Sequence, residues 1–178
     1  KSVNYRDRLY SNYGHDFQDA GEMFDREGAL RWGRACAYHL RDWIPERKDA
    51  HILDLACGAG KLLFFFSERG YKDLTGVDIS PDQVALASQV TPDVRQESVL
   101  DHLENNPDSY DLITGYDIVE HFHKDEVLRF IDGCLSALRP GGRVILQTPN
   151  ADSPWGTMHR YNDFTHEVCF NPNALTRL

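Results

Sequence analysis

Asp54, Gly58 and Gly60 stand at the spacing D-x-x-x-G-x-G, directly after the apolar run His51-Ile52-Leu53. A strand, a glycine turn and then a helix let backbone approach a ligand that a side chain would push away. Asp54 falls at the carboxyl end of that strand, where open α/β sheets bind their ligands. Asp78 ends the next apolar run, Leu74-Thr75-Gly76-Val77, and a carboxylate there can accept both hydroxyls of a ribose. The two segments describe a nucleoside-binding crevice. A second group has different chemistry. Asp117, Glu120 and His121 are spaced i, i+3, i+4, which on one turn of helix puts all three on one face. Carboxylates beside an imidazole can orient it or move a proton through it.

The elements that must carry these residues follow from apolar patterning. The sequence predicts strands over 51–55, 74–78, 93–97, 110–115 and 142–148, with helices over 61–69, 81–89 and 124–138 between them. Ser80-Pro81 predicts a hydroxyl-capped helix start, and Gly70 a helix end. A longer helix is expected from Phe24 to Trp43, with Leu30, Ala37 and Leu40 inward and Pro45 as its stop. Leu62 to Phe66 is the longest apolar run and reads as a helix face. Strands alternating with helices imply a doubly wound α/β sheet with right-handed crossovers.

Two kinds of nucleoside site compete. A dinucleotide fold wants G-x-G-x-x-G, and here Leu63 takes the third glycine's place. The spacing of Asp54, Gly58 and Gly60 resembles motif I of class I S-adenosylmethionine methyltransferases, with Ala56 in place of its first glycine. Further motifs resemble that family in the same order. Gly76-Val77-Asp78-Ile79-Ser80 resembles its ribose-binding motif, Tyr110-Asp111-Leu112-Ile113 its fourth strand, and Leu138-Arg139-Pro140-Gly141-Gly142 its turn into strand five. Asp117-Ile118-Val119-Glu120-His121 and the tail Thr148-Pro149-Asn150 to Glu167 resemble the ubiquinone-type and polysaccharide-type O-methyltransferases.

The resemblance implies a Rossmann-like sheet over 51–178 that binds S-adenosylmethionine, beneath a helical cap over 1–50 that includes Tyr5, Asp7, Tyr10, Tyr13, Asp16 and Asp19. Strands six and seven of the family's sheet find no residues before Leu178. The expected cofactor residues are Asp54, Ala56, Gly58, Gly60, Asp78, Ile79, Ser98, Val99 and Tyr116, with Ser98 and the Val99 N–H toward the adenine. His121, His166 and Asp117 are the expected catalytic residues. Relatives with this pattern hold a divalent ion, such as Mg²⁺, at positions matching Asp117, Glu120, His121 and His166. The alternative is a metal-free pocket with His121 or His166 as general base. His159, Arg160, Tyr161 and Trp155 are candidates for acceptor contact, and His123 for the surface.

Charge and composition narrow the partners. The net charge of −9 excludes duplex DNA or long RNA as the main partner, which would need a basic face. No apolar run approaches the ~20 residues that span a bilayer. Cys36, Cys57, Cys134 and Cys169 lack C-x-x-C spacing and read as buried thiols of a cytoplasmic protein. The expected reaction is methyl transfer to a hydroxyl of a saccharide or another small molecule. The alternatives are an RNA 3′ end as acceptor, and a non-catalytic partner-binding module.

Overall fold

The computed structural model describes residues 4–11, 13 and 21–178. Asp16 and Asp19 lie outside them. Five strands form one parallel sheet: β1 (Ile52–Leu55), β2 (Leu74–Asp78), β3 (Val94–Gln96), β4 (Tyr110–Tyr116) and β5 (Leu138–Gln147), in the order β3-β2-β1-β4-β5. The order reverses between β1 and β4, so their carboxyl ends open a crevice. In register, Asp54 lies beside Gly76 on one flank and Thr114 on the other.

Every residue of β1 and β2 is buried, as expected of central parallel strands covered on both faces. The covering helices are α2 (Arg26–Leu40), α3 (Lys61–Ser67), α4 (Pro81–Ala87), α5 (Val99–Asn105) and α6 (Lys124–Ala137). Helix α1 (Tyr5–Tyr10) precedes them, and α7 (Gly156–Asn162) and α8 (Pro172–Leu175) follow.

Helix α3 is more than an apolar face: Leu62, Leu63, Phe64, Phe65 and Phe66 are all buried. Its inner side meets β2, where Leu63 reaches Gly76. Its outer side is roofed by α2 and the turn before it, with Phe65 against Gly33 and the Phe24 and Phe64 rings 5.2 Å apart. That roof is α2, which ends at Leu40, five residues before Pro45, and turns Ala29, Gly33, Cys36 and Leu40 inward. Leu30 therefore faces solvent, contrary to the sequence expectation.

Other elements also differ from expectation. Helix α5 falls where the sequence suggested a plain connection, and it buries Val99, Leu100, His102 and Leu103. Strand β5 begins at Leu138 because the Pro140-Gly141-Gly142 turn is absorbed as an irregularity in its pairing with β4. Ser80 precedes α4 without capping it, because its hydroxyl is engaged by the Asp82 carboxylate. Cys36, Cys57 and Cys134 are buried, but Cys169 is exposed.

Candidate functional site

The glycine turn after β1 is shaped for close approach. Ala56, Gly58 and Gly60 all take positive φ, at 50°, 52° and 86°. A side chain on Gly60 would meet the Ala87 Cα at 3.0 Å, so the turn lies flat against α4. Beside it opens a cavity of about 290 Å³, bordered by Asp54, Ala56, Gly58, Trp32 and Tyr116. Met23 and Phe24 close its outer side, residues that the sequence reading did not single out.

Two buried carboxylates serve this turn. Thr114 donates to Asp54 Oδ1 at 2.7 Å. Burial pushes the Asp54 carboxyl up to about 7, against the opposing Thr114 bond and with a contribution from the Asp78 charge. Asp78 accepts from the Gly58 N–H at 2.8 Å and the Ser80 N–H at 2.9 Å. Burial raises its pKa as well, while those backbone bonds restrain the shift. Ile79 is half exposed just beyond it. Ser98 precedes α5, and Val99 is buried in its first turn.

The second cluster lies past the carboxyl end of β4. Asp117, Glu120 and His121 do not share a helix face. Asp117 has φ 52° and its N–H donates to the Gln147 carbonyl at 2.8 Å, which extends the β4–β5 pairing. Only Val119–His121 then coils, as a single 3₁₀ turn. The Glu120 carbonyl accepts from the N–H groups of Glu167 and Val168 at 2.8 and 3.1 Å, and this brings His166 to the turn.

Glu120, His121 and His166 thus gather, with one ligand atom of each within 4.8 Å of the others. Asp117 is not part of this group, and its carboxylate is met by Gln147 Nε2 at 3.4 Å. Glu120 is 2% exposed. Its Oε2 accepts from Thr148 at 2.9 Å, while Oε1 is buried without a hydrogen-bond partner among the described residues. Burial moves the Glu120 carboxyl up to about 7. Burial first, then its neighbour His166, moves the His121 imidazole down to about 4, so its ring is neutral.

Hydrogen bonds orient both rings. His166 Nδ1 lies 2.7 Å from the His159 carbonyl, which only accepts, so Nδ1 carries a proton; Nε2, the lone-pair site of the neutral ring, lies 4.0 Å from Asp163 Oδ2. Thr165 Oγ1 gives its one proton to Asp163 Oδ1 at 2.6 Å and so accepts from His121 Nδ1 at 2.9 Å. The His121 lone pair is then on Nε2. Two imidazole lone pairs beside an unpartnered carboxylate oxygen suit a divalent cation or a proton in transit.

The remaining candidates separate. Arg160 spends its guanidinium on the carbonyls of His166 and Glu167. His159 contributes its carbonyl. Trp155 and Tyr161 are exposed. His123 is exposed, with Nδ1 3.4 Å from Glu167. A larger cavity of about 550 Å³ lies at the amino ends of the strands. There Asp111 is already paired with Arg47 and Arg139, so the reactive groups gather at the opposite edge.

A family described as a methyltransferase domain matches residues 25–178. The ubiquinone biosynthesis O-methyltransferase of Xanthomonas campestris pv. campestris (strain B100) is 35% identical over 140 residues, covering 74% of this chain and 57% of that protein. The enzyme of the same name from Aeromonas salmonicida is 32% identical over 142 residues, covering 74% and 58%. The chain thus spans somewhat over half the length of these curated relatives. A SAM-dependent methyltransferase from Archaeoglobus fulgidus superposes with a TM-score of 0.71 at 25% identity, covering 82% of this chain and 66% of that one. Magnesium protoporphyrin IX methyltransferase from Synechocystis PCC 6803, with bound SAM, shares the fold at a TM-score of 0.58 and 18% identity, covering 82% and 76%. Among the described residues, no helix is long and apolar enough to cross a membrane.

Proposed function

This chain belongs to the class I S-adenosylmethionine-dependent methyltransferases, and we propose that it transfers a methyl group to a hydroxyl of a small molecule, a phenol or a saccharide. The observation that carries the oxygen assignment is the neutral His121 ring, held at Nδ1 by Thr165 and gathered with Glu120 and His166. An oxygen acceptor must lose its proton at or before transfer, and such a group can take it.

When bound, S-adenosylmethionine supplies a methyl already activated on a sulfonium, so the protein's task is alignment and exclusion of water. On this reading the turn at Ala56, Gly58 and Gly60 admits the cofactor against bare backbone. Asp78, fixed by two backbone N–H groups, keeps lone pairs for the ribose hydroxyls. Ile79, Ser98 and Val99 flank the adenine. Asp54, buried near the cavity, gains its charge more readily when a cation binds nearby. Tyr116 and Trp32, with ring centroids 6.2 Å apart, form an aromatic wall that keeps water from the donor.

The cluster also fits a divalent cation, because the buried Glu120 Oε1 lacks any other partner among the described residues. Glu120, His121 and His166 would hold it, and it would lower the pKa of an acceptor hydroxyl. Asp117 is then a neighbour that shapes the approach and not a ligand.

Calorimetric titration with S-adenosylhomocysteine tests the crevice, beside a Gly58→Arg variant that fills the turn. One-site binding that the variant loses is the expected result, and equal binding by both would overturn the assignment. A panel of phenols, saccharides and amines, with and without Mg²⁺, tests the acceptor. Transfer to amines but to no hydroxyl would remove the oxygen reading.

A further inference from the structure

The amino-terminal segment does not simply cover the crevice. Part of it is strapped across the Glu120–His121–His166 cluster. Arg6 forks onto Glu126 at 2.8 and 2.9 Å, and its Nη2 also donates to the His121 carbonyl at 2.9 Å. Tyr5 donates to the Glu167 carboxylate. Tyr13 donates to Asp163 Oδ2 at 2.6 Å. The rings of Tyr10 and Tyr13 stand edge-on to His121, with centroids 6.4 and 6.2 Å away.

One of these contacts, that of Tyr13, reaches the carboxylate that orients Thr165. Asp163 accepts from Tyr13 on one oxygen. On the other it accepts from both the Thr165 hydroxyl, at 2.6 Å, and the Thr165 N–H, at 2.8 Å. The Thr165 hydroxyl donates its one hydrogen to Asp163 Oδ1, which leaves Thr165 Oγ1 as an acceptor toward His121 Nδ1. The Nδ1–H form of His121 satisfies that acceptor, and the Tyr10 hydroxyl lies 3.5 Å from the same nitrogen. Meanwhile Arg6 fixes the backbone that carries the ring.

We propose that Arg6, Tyr13, Asp163 and Thr165 are positioning residues for His121, a strap and relay that hold its ring in the Nδ1–H form with the lone pair on Nε2. The proposal deepens the reading of that cluster as a cation or proton site and rests on it. Unlocked, the ring has two tautomers and a free χ2 to choose from. Locked, it keeps one, with the lone pair on Nε2. None of the four residues needs to touch a substrate.

The test reads the ring directly, in the full chain labelled with ¹⁵N-histidine. Long-range ¹H–¹⁵N correlation spectra separate Nδ1–H from Nε2–H, and the signal lost in His121→Gln assigns the ring. The wild type is expected to show Nδ1–H alone. Thr165→Val and Arg6→Gln should show a mixture or the opposite form, while Thr165→Ser restores the wild-type spectrum. In the same samples, affinity for S-adenosylhomocysteine should stay within about twofold of wild type, which establishes that the fold persists. Affinity for Mn²⁺ should fall by about tenfold in Thr165→Val and recover in Thr165→Ser, a loss of ~1.4 kcal/mol. An unchanged His121 tautomer in Thr165→Val overturns the proposal whatever the cation does. If the wild type binds no Mn²⁺ but its tautomer responds as described, the strap stands and the cation reading falls.

Discussion

At Asp54 a carboxylate is buried to 3% exposure and held by one neutral hydroxyl, that of Thr114. Its carboxyl is raised from the ordinary 3.8 to about 7. A group raised in the folded state adds stability that is complete below its unfolded value and disappears as pH climbs through the folded one. The protein without ligand should therefore lose stability from this residue between about pH 4 and pH 7. Asp54→Asn lacks the titration, so its stability relative to wild type should rise across that window, by up to about 4 kcal/mol. Thermal unfolding at half-unit pH steps checks it, and parallel curves for the two proteins would exclude Asp54 as the buried acid. Asp54, Gly58, Gly60 and Asp78 were legible in the sequence because one turn and its adjoining strands carry them. Thr114, Asp163, Thr165 and Tyr13 were not. Each acts on a partner 44 to 150 residues away, or through such a partner, and no local spacing records that.

Elements were readable where periodicity was long and misread where packing decided. Strands β1, β2 and β4 follow directly from continuous apolar runs. Helix α5 did not, because neither the Ser-Pro start of α4 nor the continuous apolar run of α3 marks it, although Val99, Leu100, His102 and Leu103 already carry a helical spacing. The triplet Asp117, Glu120 and His121 was misread for the opposite reason. Its spacing is helical, but β-sheet pairing claims the Asp117 backbone and leaves just one turn to coil. The α3–β2 contact supplies a test of packing. A Cβ on Gly76 would lie 2.7 Å from Leu63 Cδ1 and 3.0 Å from Cys57 Sγ. Gly76→Ala should destabilise the protein by about 1–3 kcal/mol through overpacking. A shift of the urea midpoint at constant m reads this out. No shift would mean that α3 can slide on the sheet.

For the molecule as a whole, the cysteines report where the fold opens. Cys169 is exposed, whereas Cys36, Cys57 and Cys134 are buried with their thiols raised by burial, Cys134 to about 12. A thiol reagent at pH 8 should modify one cysteine quickly, and a Cys169→Ser variant should lack that phase. The other three should react only at the rate of opening. A second fast thiol would show that the crevice beside Cys57 breathes. The doubly wound sheet was foreseen from the alternation of strands and helices, and the crevice from the segments around Asp54 and Asp78; the strand order was not. The strap over the His121 cluster was not either, because the six-residue α1 has no apolar period and is tied down by polar and aromatic contacts to residues far away in sequence.

The complete burial of Leu62 to Phe66 also bears on how the chain reaches this state. Until β2 lies beneath it and α2 above it, the five residues are an uncharged apolar stretch that can pair with the same stretch of another chain. The partners that conceal it lie on both sides in sequence, so neither half of the chain can shield it alone. Refolding from denaturant should therefore compete with aggregation, and the recovered yield should fall as protein concentration rises. Phe65→Lys would slow that loss while costing the native core, because the residues that make the chain sticky in transit are those that close its interior on arrival.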